Sequence, residues 1–249
     1  KKVYLILAGF LLFHLFLLFN LRFTAWPEMV SYPYLLNNGF KLYTDFIHPY
    51  PPLLTLALSG LYKTFGYNLW VLKIFTWSII LVNDVLVYLI AKKLTKKNIT
   101  ALASLASYVI LQSVLEGNQL WFDLAIVPPI LFGTLFLLNK KYIWAGIGFG
   151  LAALVKQTAG LYIIIASLFI ILKDKNIKNL FYFLVGPVIL GISLALYLIV
   201  NNSLSDFLNW NLIYPFTFWS KFPGYVQMNL EKWQILILGS LLVPLVFLI

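Results

Sequence analysis

Residues 140–175 read KKYIWAGIGFGLAALVKQTAGLYIIIASLFIILKDK, two apolar runs parted by Lys156-Gln157-Thr158 and flanked on both sides by lysines. As one helix, 143–172 would be about 45 Å long, well past the roughly 30 Å hydrocarbon core of a bilayer. It would also carry Lys173, Lys175 and Lys178 to the side opposite Lys140 and Lys141. A hairpin turning at 156–160, helped by Gly160, keeps these lysines together. Each arm is then about 20 Å long, so Lys156 is expected to sit recessed below the outer surface. A lysine at that depth is costly unless it faces protein or water, which makes it a functional candidate. Its plainer alternative is a side chain that snorkels to the headgroups.

The same pattern extends along the chain. Apolar runs fall at 3–21, 51–65, 69–91, 99–115, 120–138, 180–200 and 233–249 as well as in the two arms. The run 51–65 is only about 22 Å long as a helix and is expected to dip into the membrane or lie along it. The remaining runs predict an all-α, polytopic bundle of about eight spanning helices, with short juxtamembrane helices in the first outer loop. Composition agrees: of 249 residues 62% are hydrophobic, 18% aromatic and 10% charged, with a mean hydropathy of +0.91. Water-soluble domains carry roughly 25% charged residues, so a water-facing exterior is excluded. The absence of cysteine excludes disulfides, thiolate metal sites and cysteine nucleophiles. The chain opens at Lys1 and stops at Ile249 inside an apolar run, so one membrane domain, 1–249, cut from a longer protein is expected.

The net charge of +10 comes in short clusters between the spans, which is a topology signal and not a nucleic-acid footprint. With a cytoplasmic N-terminus and a non-crossing 51–65, the clusters at 1–2, 92–97, 140–141 and 173–178 all fall inside, as the positive-inside rule requires. The acids fall the other way. Glu28, Asp45, Glu116, Asp123, Asp206 and Glu231 lie on or just beneath the outer side, either as solvated loop residues or as the lining of an outward polar site. The long outer loops 22–50 and 201–232 are rich in Trp and Tyr, as an aromatic belt is. Pro128-Pro129 must kink the span that Asp123 enters. Asp84 and Asn83 lie mid-span, where an interhelical hydrogen bond is expected. His14 is expected to pack or hydrogen-bond, and Gly146, Gly148 and Gly150 to allow close helix contact. Asn201-Asn202-Ser203 is an outer-side glycosylation sequon.

The first outer loop holds Pro27-Glu28, which suits a helix start, and Asn38-Gly39, which suits a stop. Pro33 should make that helix short or bent. Beyond it come Lys41, Tyr43-Thr44-Asp45-Phe46 and His48-Pro49-Tyr50-Pro51-Pro52-Leu53. An acid after the first span, a tyrosine four residues on, then Gly39, the aromatic-x-Asp-Phe element, Pro-Pro-Leu and the later Lys156-Gln157-Thr158 together resemble the GT-C superfamily. The likeness is nearest to its dolichyl-phosphate-mannose protein mannosyltransferase (glycosyltransferase family 39-like) and aminoarabinose transferase-like branches, and it covers residues 1–175. Where the family more often carries aspartate, commonly as an Asp-Glu pair, this chain has Pro27-Glu28.

The resemblance implies an outward-facing, cell-envelope glycosyltransferase that moves a sugar from a polyprenyl-phosphate carrier to a protein, lipid or glycan acceptor, with Glu28 as general base. The departing phosphate needs a cation, for which Lys156 is the first candidate and Lys41 and Arg22 follow. Asp45, Tyr32, Gln157 and Asp123 are candidate substrate-binding residues. His48 and Glu116 are candidate ligands should a divalent metal ion serve as cofactor. The chief rival is a secondary transporter or lipid flippase, against which stand the one-sided polar residues and the lack of an internal repeat. A non-catalytic subunit is the third reading, and in it Glu28 would be dispensable.

Overall fold

A computed structural model describes residues 2–218 and 221. The described residues are almost entirely helical: α1 (Lys2–Asn20), α2 (Glu28–Asn37), α3 (Leu53–Phe65), α4 (Leu69–Thr95), α5 (Asn98–Leu111), α6 (Phe122–Ala125), α7 (Val127–Leu138), α8 (Tyr142–Val155), α9 (Gly160–Asp174), α10 (Ile177–Val200), α11 (Leu204–Leu208) and α12 (Tyr214–Thr217). Two-residue strands, β1 (Phe23–Thr24) and β2 (Asn118–Gln119), pair in parallel. Residues up to Asn211 form one compact unit. A second begins at Leu212, and its described part holds α12.

The all-α expectation holds. Among the described residues, α1, α4, α10 and the stretches Asn98–Leu115 and Gln157–Asp174 are long and apolar enough to cross a membrane. Phe122–Leu138 and Tyr142–Val155 are shorter apolar helices. The run 233–249, and with it Glu231, lies outside the described residues. The exterior is apolar where a soluble protein would be polar: Leu5, Leu12, Phe16, Ile164, Ile189 and Leu196 are all more than half exposed. Apolar side chains outside and a few polar ones within is the arrangement a lipid environment selects.

Local chemistry sets the breaks. Pro128 and Pro129 occupy the first turn of α7, where a missing amide hydrogen costs nothing, so the chain breaks at Ile126 between α6 and α7. Lys156 ends α8 in an extended conformation, and a 3₁₀ turn at Gln157–Ala159 reverses the chain into α9, as the hairpin reading expects. Pro33 lies inside α2, which runs only ten residues. Helix α3 begins beside His48, to which Thr55 is hydrogen-bonded, and ends near Tyr67, which donates to the Pro33 carbonyl in α2. Both its ends are thus tied to the first loop, in keeping with a helix that does not cross.

The helix directions divide the compact unit into two ends. The turns at 95–98, 138–142 and 174–177 carry the lysine clusters, while those at 116–122 and 156–160 lie at the other end. Glycines let the walls close. A Cβ on Gly148 would lie 2.6 Å from the Gly133 nitrogen, joining α8 to α7, and one on Gly146 would overlap the Phe183 carbonyl of α10.

One polar cluster lies deep in the bundle. His14 of α1 bonds the Asp84 carboxylate of α4 through Nδ1 (2.9 and 3.1 Å), and its Nε2 lies 2.9 Å from Gln112 Oε1. All three are buried. Gln112 donates its Nε2 to the Gly117 carbonyl (2.9 Å), which turns Oε1 toward His14, so the ring's Nε2 carries hydrogen. The interhelical bond expected of Asp84 is therefore present, with His14 as its partner.

Candidate functional site

The end of the unit opposite the lysine clusters gathers the polar and aromatic residues of the first loop. Pro27 caps α2 and places Glu28 in its first turn, where a carboxylate meets the positive end of the helix dipole. One oxygen of Glu28, Oε2, is buried with no hydrogen-bond partner. Tyr32 follows one turn later on the same face. Burial, and then the charge of Glu28, raises the Tyr32 pKa, so the phenol stays protonated.

Tyr32 leads to His48, with ring centroids 4.8 Å apart. Tyr43, Phe46, Tyr50 and Phe122 also ring the imidazole. Its Nδ1 donates to the Tyr50 carbonyl (2.7 Å), which leaves Nε2 to accept from the Thr55 hydroxyl (2.7 Å). Burial outweighs the Tyr50 bond and holds its pKa at about 4, so the ring is neutral at pH 7. Tyr43 adopts φ +73°, donates to the same Tyr50 carbonyl (3.0 Å) and is itself held by Trp210 Nε1 (3.1 Å).

The metal expectation fits this geometry poorly. Both His48 nitrogens are engaged, so the ring offers no lone pair, and no group of three His, Asp or Glu side chains converges among the described residues. The side chain of Glu116 lies outside the described residues.

From the aromatic box the chain passes to residues 117–123. Phe122 stacks on Tyr50 at 3.8 Å, and Trp26, beside Pro27-Glu28, donates to Gln119 (2.8 Å) and packs on Trp121. Asn118 fixes this segment to α1 and α4: its Nδ2 donates to the Leu18 and Leu21 carbonyls, and its Oδ1 accepts from Trp77. Asp123, in the first turn of α6, then pairs with Lys156 Nζ at 2.5 Å. The ammonium side chain is one-fifth exposed and the carboxylate about half. Such a partly solvated pair adds roughly 0–1 kcal/mol to stability, so its value to the fold is small. Next to it Gln157 Nε2 donates to the Pro49 carbonyl (3.1 Å) and the Asn211 carbonyl (3.4 Å). That orientation leaves Gln157 Oε1 buried and without a donor.

Glu28, Tyr32, His48, Asp123, Lys156 and Gln157 thus belong to one connected neighbourhood. Asp45 is near it through Phe46, which stacks on Tyr32 at 5.6 Å, but its carboxylate is used to bind the Lys41 amide (2.7 Å). Lys41 and Arg22 are exposed, and neither forms an ion pair with a described carboxylate. Two residues escaped sequence reasoning. Asn118 joins the segment to α1, and Asn211 donates to the His48 carbonyl (3.3 Å). The only signal for either was a buried asparagine among aromatics, which many loop positions share.

The family model described as dolichyl-phosphate-mannose-protein mannosyltransferase matches residues 48–199, more than half of the chain. His48, Glu116, Asp123, Lys156 and Gln157 fall inside the matched stretch, and Glu28 precedes it. No curated protein and no solved structure matches the chain significantly.

Proposed function

The chain belongs to the dolichyl-phosphate-mannose-protein mannosyltransferase family and is a membrane glycosyltransferase; from that premise we propose that it passes a sugar from a polyprenyl-phosphate carrier to an acceptor hydroxyl at the outer face, with Glu28 as base. The observation that carries this reading is the linkage of Glu28, through Tyr32, His48 and Phe122, to the Asp123–Lys156 pair. The lysine clusters at the other end favour an outward site by the positive-inside rule.

In this mechanism Glu28 Oε2 takes the acceptor's hydroxyl proton as the oxygen attacks the anomeric carbon. The bond from that carbon to the phosphate oxygen breaks, its electrons staying with the polyprenyl phosphate. The leaving group gains a negative charge, which Lys156 offsets. Asp123 holds the ammonium in position until the donor phosphate arrives. Gln157 Oε1 is an acceptor for a sugar hydroxyl, and neutral His48 keeps the loop rigid without taking part in proton transfer.

The test is transfer from a polyprenyl-phosphate-linked sugar by the purified, reconstituted protein. Glu28→Gln keeps the shape and removes the base, so turnover should fall by about 100-fold or more with insertion unchanged. Lys156→Ala should chiefly raise the KM for the donor. Full turnover by Glu28→Gln would remove Glu28 from the mechanism, and an unchanged donor KM would return Lys156 to a snorkelling role.

A further inference from the structure

At the lysine-rich end, α4 and α7 pack together and leave a cavity of about 550 Å³. It is lined by Lys92, Lys93 and Lys96, by Leu89 and Leu135, and by Asn139. No described carboxylate is paired with these lysines. The ion pairs among the described residues are His14–Asp84 and Lys156–Asp123, and the acid at this end, Asp174, accepts the Tyr142 hydroxyl (2.6 Å) and does not line the cavity.

This arrangement works against the fold of the chain alone. Lys92 and Lys96 are one helical turn apart, a spacing at which like charges repel. The positive-inside rule explains why lysines lie at this end. It does not explain three of them around one hollow where the Tyr88 ring, 5.9 Å from Lys92 Nζ, is the one cation partner among the described residues and no counter-charge is present.

We propose that this cavity binds the headgroup of an anionic phospholipid. The phosphate sits against Lys92, Lys93 and Lys96, and the acyl chains run along Leu89 and Leu135. Leu89 is 39% exposed on a membrane-spanning helix, so the hollow is continuous with a lipid-facing surface. A soluble phosphate would meet the same cations and gain nothing from the leucines.

The full chain in detergent, titrated with phosphatidylglycerol or phosphatidylcholine and read by native mass spectrometry, tests this. Each lysine near an anionic lipid should contribute about five-fold. The variant K92Q/K93Q/K96Q should therefore bind phosphatidylglycerol roughly 100-fold more weakly, while K173Q/K175Q/K178Q, with the same charge removed at the same end, stays close to the parent. Phosphatidylcholine should bind weakly to all three, and millimolar glycerol 3-phosphate should not displace the lipid. Equal losses in the two triple variants would reduce the effect to general charge attraction and overturn the site. Equal binding of both lipids, or displacement by glycerol 3-phosphate, would overturn the anionic-lipid assignment. If K92Q/K93Q/K96Q does not fold, K96Q alone decides: about five-fold weaker binding supports the site, and unchanged binding removes it.

Discussion

A carboxylate oxygen that is buried without a donor, as Glu28 Oε2 is, costs free energy until something arrives to share a hydrogen with it. His48 is the opposite case, with both nitrogens satisfied and the ring kept neutral by burial at a pKa of about 4. Its ordinary value is about 6.5, so the unfolded chain binds the proton more tightly than the folded one. Stability from this residue is therefore complete above pH 6.5 and is lost as pH falls toward 4. The expected loss is about 3 kcal/mol, read as a falling thermal midpoint whose slope between pH 6.5 and 4 is smaller in His48→Gln. The sequence made Lys156, Asp123 and Glu28 visible because charge in an apolar chain needs a reason. It did not show that Lys156 and Asp123 pair, since 33 residues and two helices separate them. Asn211 was invisible for the same reason, because its value lies in meeting the His48 carbonyl and Gln157, both remote in sequence.

Helices and turns were legible where proline, glycine or charge interrupts an apolar run. Pro128-Pro129 gave the α6–α7 break, Lys156-Gln157-Thr158 the α8–α9 hairpin, and Asn38-Gly39 the end of α2. The strand pair β1–β2 was not, because two residues carry no alternation, and its pairing depends on Asn118 being held by α1 and α4. The small-residue face of α8 was expected, and its partners are now specific. At Gly148 a Cβ would meet backbone atoms, the Gly133 nitrogen at 2.6 Å and the Pro129 carbonyl at 2.8 Å, which cannot swing away as a side chain can. Gly148→Ala should force α7 and α8 apart and cost about 1–3 kcal/mol, seen as a lower melting temperature in detergent. Gly191→Ala, on α10 with nothing within 4 Å of its Cβ, should be neutral or slightly stabilising, since alanine favours helix.

Over the whole molecule, the described residues of the first unit sort into a lysine-rich end and an aromatic, carboxylate-bearing end. The chain contains no cysteine, so single introduced thiols can report which end faces which side. Thr158→Cys, in the exposed turn beside Lys156, should react with a membrane-impermeant maleimide on intact cells. Thr100→Cys, in the first turn of α5, should react only after permeabilisation. The reverse pattern would place the catalytic reading on the wrong face. The His14–Asp84–Gln112 cluster, finally, has a consequence for biogenesis. On insertion scales an aspartate at the centre of a helix carries a penalty of about 2.5–3.5 kcal/mol, and Asp84 emerges 70 residues after the histidine that bonds it. An α1 held near the translocon exit until α4 is threaded would spare Asp84 that penalty. Swapping its sequence for plain polyleucine would remove that appointment, and α4 would leave the ribosome with no one to meet it.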